Sequence, residues 1–321
     1  MRYNIQNFDV LDSTNKCLES MDISSVEEGL VVRAVCQTAG VGQRGNVWES
    51  EDYKNLTFSV LLKPIFLPIA NRFMLTKVIS LAMVDFLKQE IGTEAISIKW
   101  PNDIYVGKNK ICGILISNKF RAGIYNASIV GVGFNVNQTM FGSNIPNPTS
   151  LKIITGKDYE PSEVLDTIMY RILTRYEELR DGKILEIGEE YLANLLYLGK
   201  EREYYYRNNL IKGTIKDVTE EGFLLLETFD NKSFNLSSSL EYSREVIWFS
   251  PSRRIFAQST SCLPIVSLKH KSSSVIAFTE DLSKGSEPIP AAGFQEIELI
   301  EGFSTSLNSS FPVTASLPET S

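Results

Sequence analysis

Residues 99–115 read Lys-Trp-Pro-Asn-Asp-Ile-Tyr-Val-Gly-Lys-Asn-Lys-Ile-Cys-Gly-Ile-Leu, and this stretch decides the fold. Alternating apolar residues over 96–106 are typical of a strand, although Pro101 interrupts it because proline has a fixed φ and no N–H. Turn-forming residues follow at 107–109, and a second apolar run occupies 111–116. We therefore predict two strands joined by a tight turn.

This hairpin carries an unusual number of polar side chains. Lys99, Asn102, Asp103 and Lys110 lie in an otherwise apolar stretch of predicted sheet. Charged groups beside a core cost free energy unless they meet a partner or a ligand. We therefore expect a functional site at this hairpin.

The composition limits the classes of protein to which the chain can belong. With 321 residues, 43% hydrophobic and 22% charged, it is long enough for one large and one small globular domain. The net charge of −7 argues against non-specific binding of nucleic acid. No apolar run reaches membrane-spanning length, and residues 1–6 lack the apolar core of a signal peptide, so we expect no membrane partner.

Cysteine and histidine usage narrows the chemistry. The cysteines are Cys17, Cys36, Cys112 and Cys262. They show neither close pairing nor metal-ligand spacing, which favours free thiols and a cytoplasmic location. The single histidine is His270, so residues 1–250 cannot form a Ser-His-Asp or Cys-His nucleophilic site or most zinc sites. Chemistry there must rely on lysines, carboxylates and positioning.

Two segments near the N-terminus are candidate ligand sites. Asp12-Ser13-Thr14-Asn15 lies between a predicted strand and a helix, and it is either a plain N-cap or a ligand group at the positive end of the helix. Residues 37–48 contain G-x-G-x-x-G, but no helix and no suitably placed acidic residue follow, which rejects a Rossmann site. This glycine loop either closes over an anion or is an ordinary surface loop, and Trp48 is either a core anchor or a lid.

The remaining pattern alternates strands and helices up to residue 199. It predicts a strand at 56–62, helices at 70–90, 161–180 and 184–198, and a strand at 125–136. Gly131 and Gly133 lie within that last strand and indicate either a bulge or the close approach of a ligand or another backbone.

From residue 200 the pattern changes twice. Short strands separated by turns predict a small all-β barrel, with strands at 203–206, 210–218, 222–227, 234–236 and 245–249. Residues 250–321 are rich in Ser and Pro, and this composition predicts a disordered extension.

Taken in order, the motifs resemble those of the biotin–protein ligases, the family that biotinylates acetyl-CoA carboxylase and related enzymes. The similar motifs are Ser13-Thr14-Asn15, Gln37-Thr38-Ala39-Gly40 with the loop to Trp48, Lys99-Trp100-Pro101-Asn102-Asp103, Lys110-Ile111-Cys112-Gly113-Ile114-Leu115 and Gly131-Val132-Gly133-Phe134-Asn135. The resemblance covers about residues 1–249. Its most specific element is the pairing of Lys-Trp-Pro-Asn-Asp with Lys-x-x-Gly-Ile-Leu.

The resemblance implies an α+β fold. A mixed sheet flanked by helices, of the class II synthetase type, is expected over residues 1–199. A small SH3-like β-barrel is expected over 200–249, followed by the extension at 250–321. Some members carry an N-terminal DNA-binding domain, but few residues precede Ser13, so we expect no DNA binding. Homodimers occur in the family, and the sequence leaves the oligomeric state open.

The resemblance also implies a two-step reaction. Biotin and ATP, with Mg²⁺, form biotinyl-5′-adenylate, and the biotinyl group then passes to one lysine of the biotin carboxyl carrier domain of a carboxylase. The carrier domain is expected to dock against an exposed strand edge.

Roles follow for particular residues. Contacts with biotin are expected from Ser13, Thr14, Asn15, Gln37, Gly40, Val41, Gly42, Gln43, Lys110 and Gly113. Contacts with ATP or the adenylate are expected from Arg44, Trp48, Asn102 and Asn135. The expected catalytic residues are Lys110, Lys99 and Asp103, and Asp103 is also expected to hold Mg²⁺.

One departure from the family pattern keeps two alternatives open. Many members have arginines in the glycine loop where this chain has Val41, Gln43 and Asn46. An aliphatic side chain at Val41 cannot neutralise an anion. The alternatives are a non-catalytic or impaired biotin-binding homologue, and a lipoate–protein ligase or octanoyltransferase.

Overall fold

The computed structural model describes residues 2–92, 95–121, 124–143, 145–206, 209–228, 233–236, 265–270 and 273–278. The chain divides into two compact units, Met1–Trp248 and Phe249–Ser321.

A seven-stranded sheet forms the centre of the first unit. Its strands are β1 (Asn4–Leu11), β2 (Leu30–Gln37), β3 (Leu56–Leu62), β4 (Ile96–Lys99), β5 (Asp103–Val106), β6 (Asn109–Arg121) and β7 (Ile124–Phe134). They lie in the order β1-β2-β3-β7-β6-β5-β4. β1 and β2 are parallel, whereas the other neighbours are antiparallel, so the predicted mixed sheet is confirmed.

Helices flank this sheet, as predicted. In the described part of the chain they are α1 (Thr14–Ser20), α2 (Met74–Ile91), α3 (Leu151–Thr155), α4 (Pro161–Arg180) and α5 (Ile184–Ala193). α2 is apolar around most of its circumference because it lies between the sheet and the helices α4 and α5. No helix among the described residues is both long enough and apolar enough to cross a membrane.

The two faces of the sheet carry different residues. Along β3, Leu56, Phe58 and Val60 belong to the main core beneath α2. The residues between them face α1, where Leu61 joins a smaller cluster around Leu18. Because neighbouring strand residues alternate between faces, the α1 face also receives the glycines of β6 and β7.

The stretch 99–115 forms three strands where two were predicted. β4 ends at Lys99 and β5 begins at Asp103, and these two residues pair across an antiparallel turn. Trp100, Pro101 and Asn102 form the turn, with a cis peptide bond before Pro101. The sequence marked the interruption correctly. An apolar pattern does not distinguish a strand that continues past a proline from two strands that reverse there.

α5 ends at Ala193, earlier than the predicted end at 198. The next segment pairs with the outer side of β4 instead. The Ile98 N–H donates to Asn194 O at 2.8 Å, and the Leu196 N–H donates to Ile98 O at 2.8 Å. Buried backbone groups at a sheet edge need partners, and this requirement outweighs the helical periodicity of the segment.

A second sheet follows in the first unit. Its strands are β8 (Glu201–Tyr206), β9 (Asn209–Val218), β10 (Leu224–Thr228) and β11 (Ser233–Leu236), in the antiparallel order β11-β10-β9-β8. They agree with four strands of the predicted barrel, and the fifth, at 245–249, lies outside the described residues. Ile215, Val218 and Leu224 of this sheet belong to the same core cluster as the residues beneath α2.

A hydrogen bond joins the two sheets beside the polar hairpin. Trp100 Nε1 donates to Gly222 O at 3.2 Å, and the contact is buried. Gly222 has a φ of +94°, and a Cβ at this position would lie 2.4 Å from Cδ2 of Phe73. Both the backbone conformation and the available space therefore require glycine there.

Part of the segment 250–321, predicted to be disordered, has secondary structure. β12 (Ile265–His270) and β13 (Ser273–Phe278) pair as an antiparallel two-stranded sheet. The segment thus contains one pair of strands rich in apolar residues, and the predicted disorder of the extension stays a prediction. The rest of the segment lies outside the described residues.

Gly222→Ala should lower the free energy of unfolding by about 3 kcal/mol, because it combines backbone strain with a clash against Phe73. Gly182 is the matched control, since it has a φ of +85° and nothing lies within 4 Å of the point that a Cβ would occupy. Gly182→Ala should cost only about 1 kcal/mol of strain. Urea denaturation of both variants measures the difference, and equal costs would contradict the clash.

Candidate functional site

A pocket of ≈ 150 Å³ opens on the α1 face of the seven-stranded sheet. Most of the residues singled out from the sequence line it: Ser13, Thr14, Asn15, Gln37, Val41, Gly42, Gln43, Trp48, Asn102, Asp103, Lys110 and Gly113. The other lining residues are Asn46, Val47, Ile114, Leu115, Gly131, Val132 and Gly133, of which only Gly131 and Gly133 were singled out from the sequence. Motifs about 100 residues apart in the sequence, from Ser13 to Gly113, therefore meet at one place.

The N-terminus of α1 forms the polar end of the pocket. Ser13 occupies the N-cap position, but its side chain makes no capping hydrogen bond. The interpretation of the motif as a plain N-cap is therefore wrong in one respect, because the Ser13 hydroxyl does not cap the helix. The Thr14 N–H donates to Gln37 Oε1 at 2.8 Å, which fixes the amide of Gln37 beside the helix.

Ser59 lies behind this polar end and was missed by the sequence reasoning. It is fully buried on β3, and its Oγ contacts both Thr14 Oγ1 at 2.7 Å and Asn15 Oδ1 at 2.5 Å. A usable signal was present, because a polar residue within the apolar strand 56–62 needs a hydrogen-bond partner when it is buried.

Glycines on β6 and β7 form the floor of the pocket. A Cβ on Gly133 would lie 2.2 Å from Cε2 of Trp48, and one on Gly113 would lie 2.9 Å from Cζ3 of the same indole. A Cβ on Gly131 would lie 2.1 Å from Asn15 Oδ1. Gly131 and Gly133 were expected to mark either a bulge or the close approach of a ligand or backbone, but in the structure the side chains of Asn15 and Trp48 approach them.

An ion pair stands at the other end of the pocket. Lys110 Nζ lies 2.8 Å from Asp103 Oδ1 and 5.5 Å from the centre of the Trp48 ring. The main chain of Lys110 is bonded on both sides, since its N–H donates to Asn147 O at 2.7 Å and its carbonyl accepts from the Thr149 N–H at 2.9 Å. These bonds fix the backbone of Lys110 beside the pocket, and the contact with Asp103 orients its Nζ.

Asn102 connects the turn at 100–102 to strand β6, which carries part of the glycine floor. Its side-chain Nδ2 donates to Ile114 O at 2.7 Å, and its main-chain carbonyl accepts from the Ile114 N–H at 2.9 Å. The side-chain amide is therefore already committed to β6 while one side of the residue lines the pocket.

Three predicted site residues do not line the pocket. Lys99 pairs with Asp103 across β4 and β5, but its Nζ donates to the hydroxyl of Tyr105 at 3.2 Å and the residue does not line the pocket. Asn135 is buried and donates through Nδ2 to Thr149 O at 2.9 Å, which is a structural role. Gly40 leaves room for the backbone, since a Cβ there would lie 2.5 Å from Trp48 O. The side chain of Arg44 lies outside the described part of the structure.

The glycine loop has internal structure. The Gly42 N–H donates to Asn46 O at 2.7 Å, and the Trp48 N–H donates to Gly40 O at 3.0 Å, so the loop is a narrow ribbon. The chain just after the loop is tied to the segment after β7, where Gln138 Oε1 accepts from the Glu51 N–H at 3.1 Å. The ribbon carries Trp48 over the glycine floor.

The described side chains of the site supply too few ligands to bind a metal ion without help from a substrate. Among the described residues no group of three or more His, Cys, Asp or Glu side chains could hold one. Asp103 supplies a carboxylate to the pocket, but Lys110 already contacts it. Burial raises the pKa of Cys112 far above its usual value, so this neighbouring thiol is not a nucleophile at neutral pH.

Comparison with known proteins gives consistent matches. The biotin/lipoate A/B protein ligase family matches this chain over residues 7–135. The bifunctional ligase/repressor BirA of Bacillus subtilis (strain 168) is 29% identical over 238 residues, which cover 73% of this chain and 72% of that protein. A biotin–[acetyl-CoA-carboxylase] ligase of Mycobacterium tuberculosis is 25% identical over 221 residues, covering 67% of this chain and 80% of that protein.

A solved structure gives a similar result. The biotin protein ligase from Aquifex aeolicus, in complex with biotin and ATP, superimposes with a TM-score of 0.63 at 30% sequence identity. The superposition covers 74% of this chain and 97% of that chain.

Gly133→Ala should displace the Trp48 indole, because the new methyl group would overlap it. We expect a change in the tryptophan emission maximum toward longer wavelength as the ring becomes exposed, measured by steady-state fluorescence. The control is the same glycine substitution in a Trp48→Phe background, where the emission of the remaining tryptophans should not shift. An unshifted spectrum in the native background would contradict the contact.

Proposed function

The chain belongs to the biotin/lipoate A/B protein ligase family and is a biotin protein ligase, and from this premise we propose that it makes biotinyl-5′-adenylate from biotin and ATP. We further propose that it transfers the biotinyl group to a lysine of the biotin carboxyl carrier domain of a carboxylase. The observation that carries the proposal is one pocket with neutral polar groups at one end and the Lys110–Asp103 ion pair at the other.

The polar end suits the ureido ring of biotin. Ser13, Thr14 and Gln37 offer hydroxyl and amide groups, which can match the neutral N–H and C=O groups of a cyclic urea. The glycine floor leaves room for a flat ring system against the backbone. The biotin carboxylate would then extend toward Lys110.

Lys110 is proposed to act in the first step. A carboxylate oxygen of biotin attacks the α-phosphorus of ATP, a P–O bond forms, and the bond to pyrophosphate breaks. Two anionic groups must approach each other for this to happen. A cation whose backbone is fixed by hydrogen bonds and whose Nζ is oriented by Asp103 would lower the electrostatic barrier with little reorganisation.

Mg²⁺ is proposed to bind together with ATP, with ligands from both the nucleotide and the protein. Asp103 could supply a carboxylate oxygen, and phosphate oxygens and water would complete the coordination, as is common for this ion. Bound there, Mg²⁺ would neutralise part of the phosphate charge.

The second step needs protection from water more than a protein base. The carrier lysine attacks the acyl carbon of the adenylate, a C–N bond forms, and AMP leaves. The glycine loop, with Trp48 at its end, is proposed to cover the adenylate during this step. Val41 lines the pocket without a charge, so the loop would contribute enclosure rather than charge neutralisation at that position.

Lipoate is the weaker alternative substrate. Its dithiolane ring has no hydrogen-bonding groups to match Thr14, Asn15 and Gln37, and desolvated polar groups left unpaired oppose binding. A non-catalytic biotin-binding protein is the other alternative, motivated by Val41.

A transfer assay tests the proposed function. The full chain is incubated with Mg²⁺, ATP, a carrier domain and either biotin or lipoate, and the carrier is examined by mass spectrometry. We expect a mass increase equal to one biotinyl group that requires ATP. Modification by lipoate alone would support the lipoate alternative, and binding of biotin without transfer would support the non-catalytic one.

Lys110→Gln should lower the rate of adenylate formation about 100-fold, because it removes a charge that acts mainly in the transition state. The affinity for biotin should change by less than about fivefold, since the neutral polar end is intact. Pyrophosphate release and equilibrium titration measure the two quantities. Lys99→Gln is the matched control in the same stretch and should retain the native rate, because Lys99 lies outside the pocket. Equal losses in both variants would contradict the assignment.

A further inference from the structure

Ser59 stands one layer behind the pocket. It does not line the cavity, and no role follows for it from the motifs around it. Yet its single hydroxyl contacts two residues that do line the cavity, Thr14 and Asn15. All three side chains are buried, so the direction of each hydrogen bond matters energetically.

The orientation of the Asn15 amide can be assigned from its other neighbour. One end of this amide lies 3.4 Å from Leu115 O, which can only accept a hydrogen bond. That end must therefore be Nδ2, and Oδ1 faces Ser59. The amide is confined in this position, because it packs closely against Gly131: a Cβ there would lie 2.1 Å from Oδ1.

The protons can then be counted. Asn15 Oδ1 only accepts, so the one proton of Ser59 goes to it. The contact of 2.7 Å between Ser59 Oγ and Thr14 Oγ1 then requires the proton of Thr14. Gln37 Oε1 is a weaker competitor for that proton, since it lies 3.3 Å from Thr14 Oγ1 and already accepts from the Thr14 N–H at 2.8 Å.

In this chain of hydrogen bonds from Thr14 through Ser59 to Asn15, Thr14 Oγ1 keeps its lone pairs available but has no proton left to donate. A hydroxyl in this state accepts hydrogen bonds from a ligand and cannot donate to it. A ring N–H matches such a group, whereas an apolar ring or a ring oxygen does not.

We propose that Ser59 is a positioning residue that fixes Thr14 as a hydrogen-bond acceptor and so makes the pocket select a ring N–H. This inference rests on the proposed function, because the ureido ring of biotin supplies the N–H. Ser59 acts through Thr14 and does not touch the substrate.

The test is a double-mutant cycle on the full chain, with biotin affinity measured by titration calorimetry. Ser59→Ala should weaken biotin binding about tenfold, because the acceptor is no longer oriented. Thr14→Val removes the acceptor itself and should weaken binding at least as much. The double variant should be no weaker than Thr14→Val, because both changes act on one hydrogen bond.

Kinetics separate positioning from general damage. Ser59→Ala should raise the KM for biotin about tenfold and leave kcat at saturating biotin within about twofold. Ser80→Ala is the matched control, since Ser80 is equally buried and its hydroxyl makes no hydrogen bond in the described structure. It should leave the biotin affinity unchanged. If Ser59→Ala does not fold, Ser59→Cys keeps the size with a weaker donor and should weaken binding about threefold.

Three results would overturn the inference: a Ser59→Ala affinity within twofold of the native protein, additive losses in the double variant, or an equal loss in Ser80→Ala. If the native protein does not bind biotin at all, the proposed function is overturned instead. The native titration is done first, so this outcome is distinguished from a failure of the inference about Ser59.

Discussion

Residues of a strand alternate between two faces, and in this sheet the two faces have opposite requirements. On the α2 side, strands β3, β6 and β7 carry large apolar side chains that fill the core. On the α1 side, Gly113, Gly131 and Gly133 must carry none, because Trp48 and Asn15 occupy the space that a Cβ would need. A slip of one residue would exchange the faces and put glycines into the core. The pocket is therefore a consequence of strand register and not of the loops alone.

The position of the Lys110–Asp103 ion pair depends on a second set of contacts, which lie outside the sheet faces. The main chain of Lys110 is held by Asn147 and Thr149, and its partner Asp103 follows the turn at 100–102. That turn is tied in its own right to the second sheet through Trp100 and Gly222. The position of the ion pair thus depends on residues more than 100 positions away in the sequence. Such support is what a cation needs if it is to meet a transition state without moving.

Much of this arrangement was predictable because local and global signals agree. The periodicity of α2 and the apolar run of β3 gave the elements, and the order of the motifs gave the family. The reversal at Pro101 and the end of α5 were not predictable, because each depends on partners from distant segments. Lys99 illustrates the limit at the site: its motif groups it with Asp103, but its hydrogen bond to Tyr105 becomes visible only once the pairing of β4 and β5 is known.

The segment after α5 has a consequence beyond ending a helix. It occupies the outer hydrogen-bonding groups of Ile98, so the β4 end of the seven-stranded sheet is closed to a further strand at this point. The opposite end is formed by β1, whose described pairing is with β2. Among the described residues, β1 is therefore the edge at which another chain could add a strand. A sheet that can pair at one edge accepts one further chain there, whereas open-ended stacking requires two available edges.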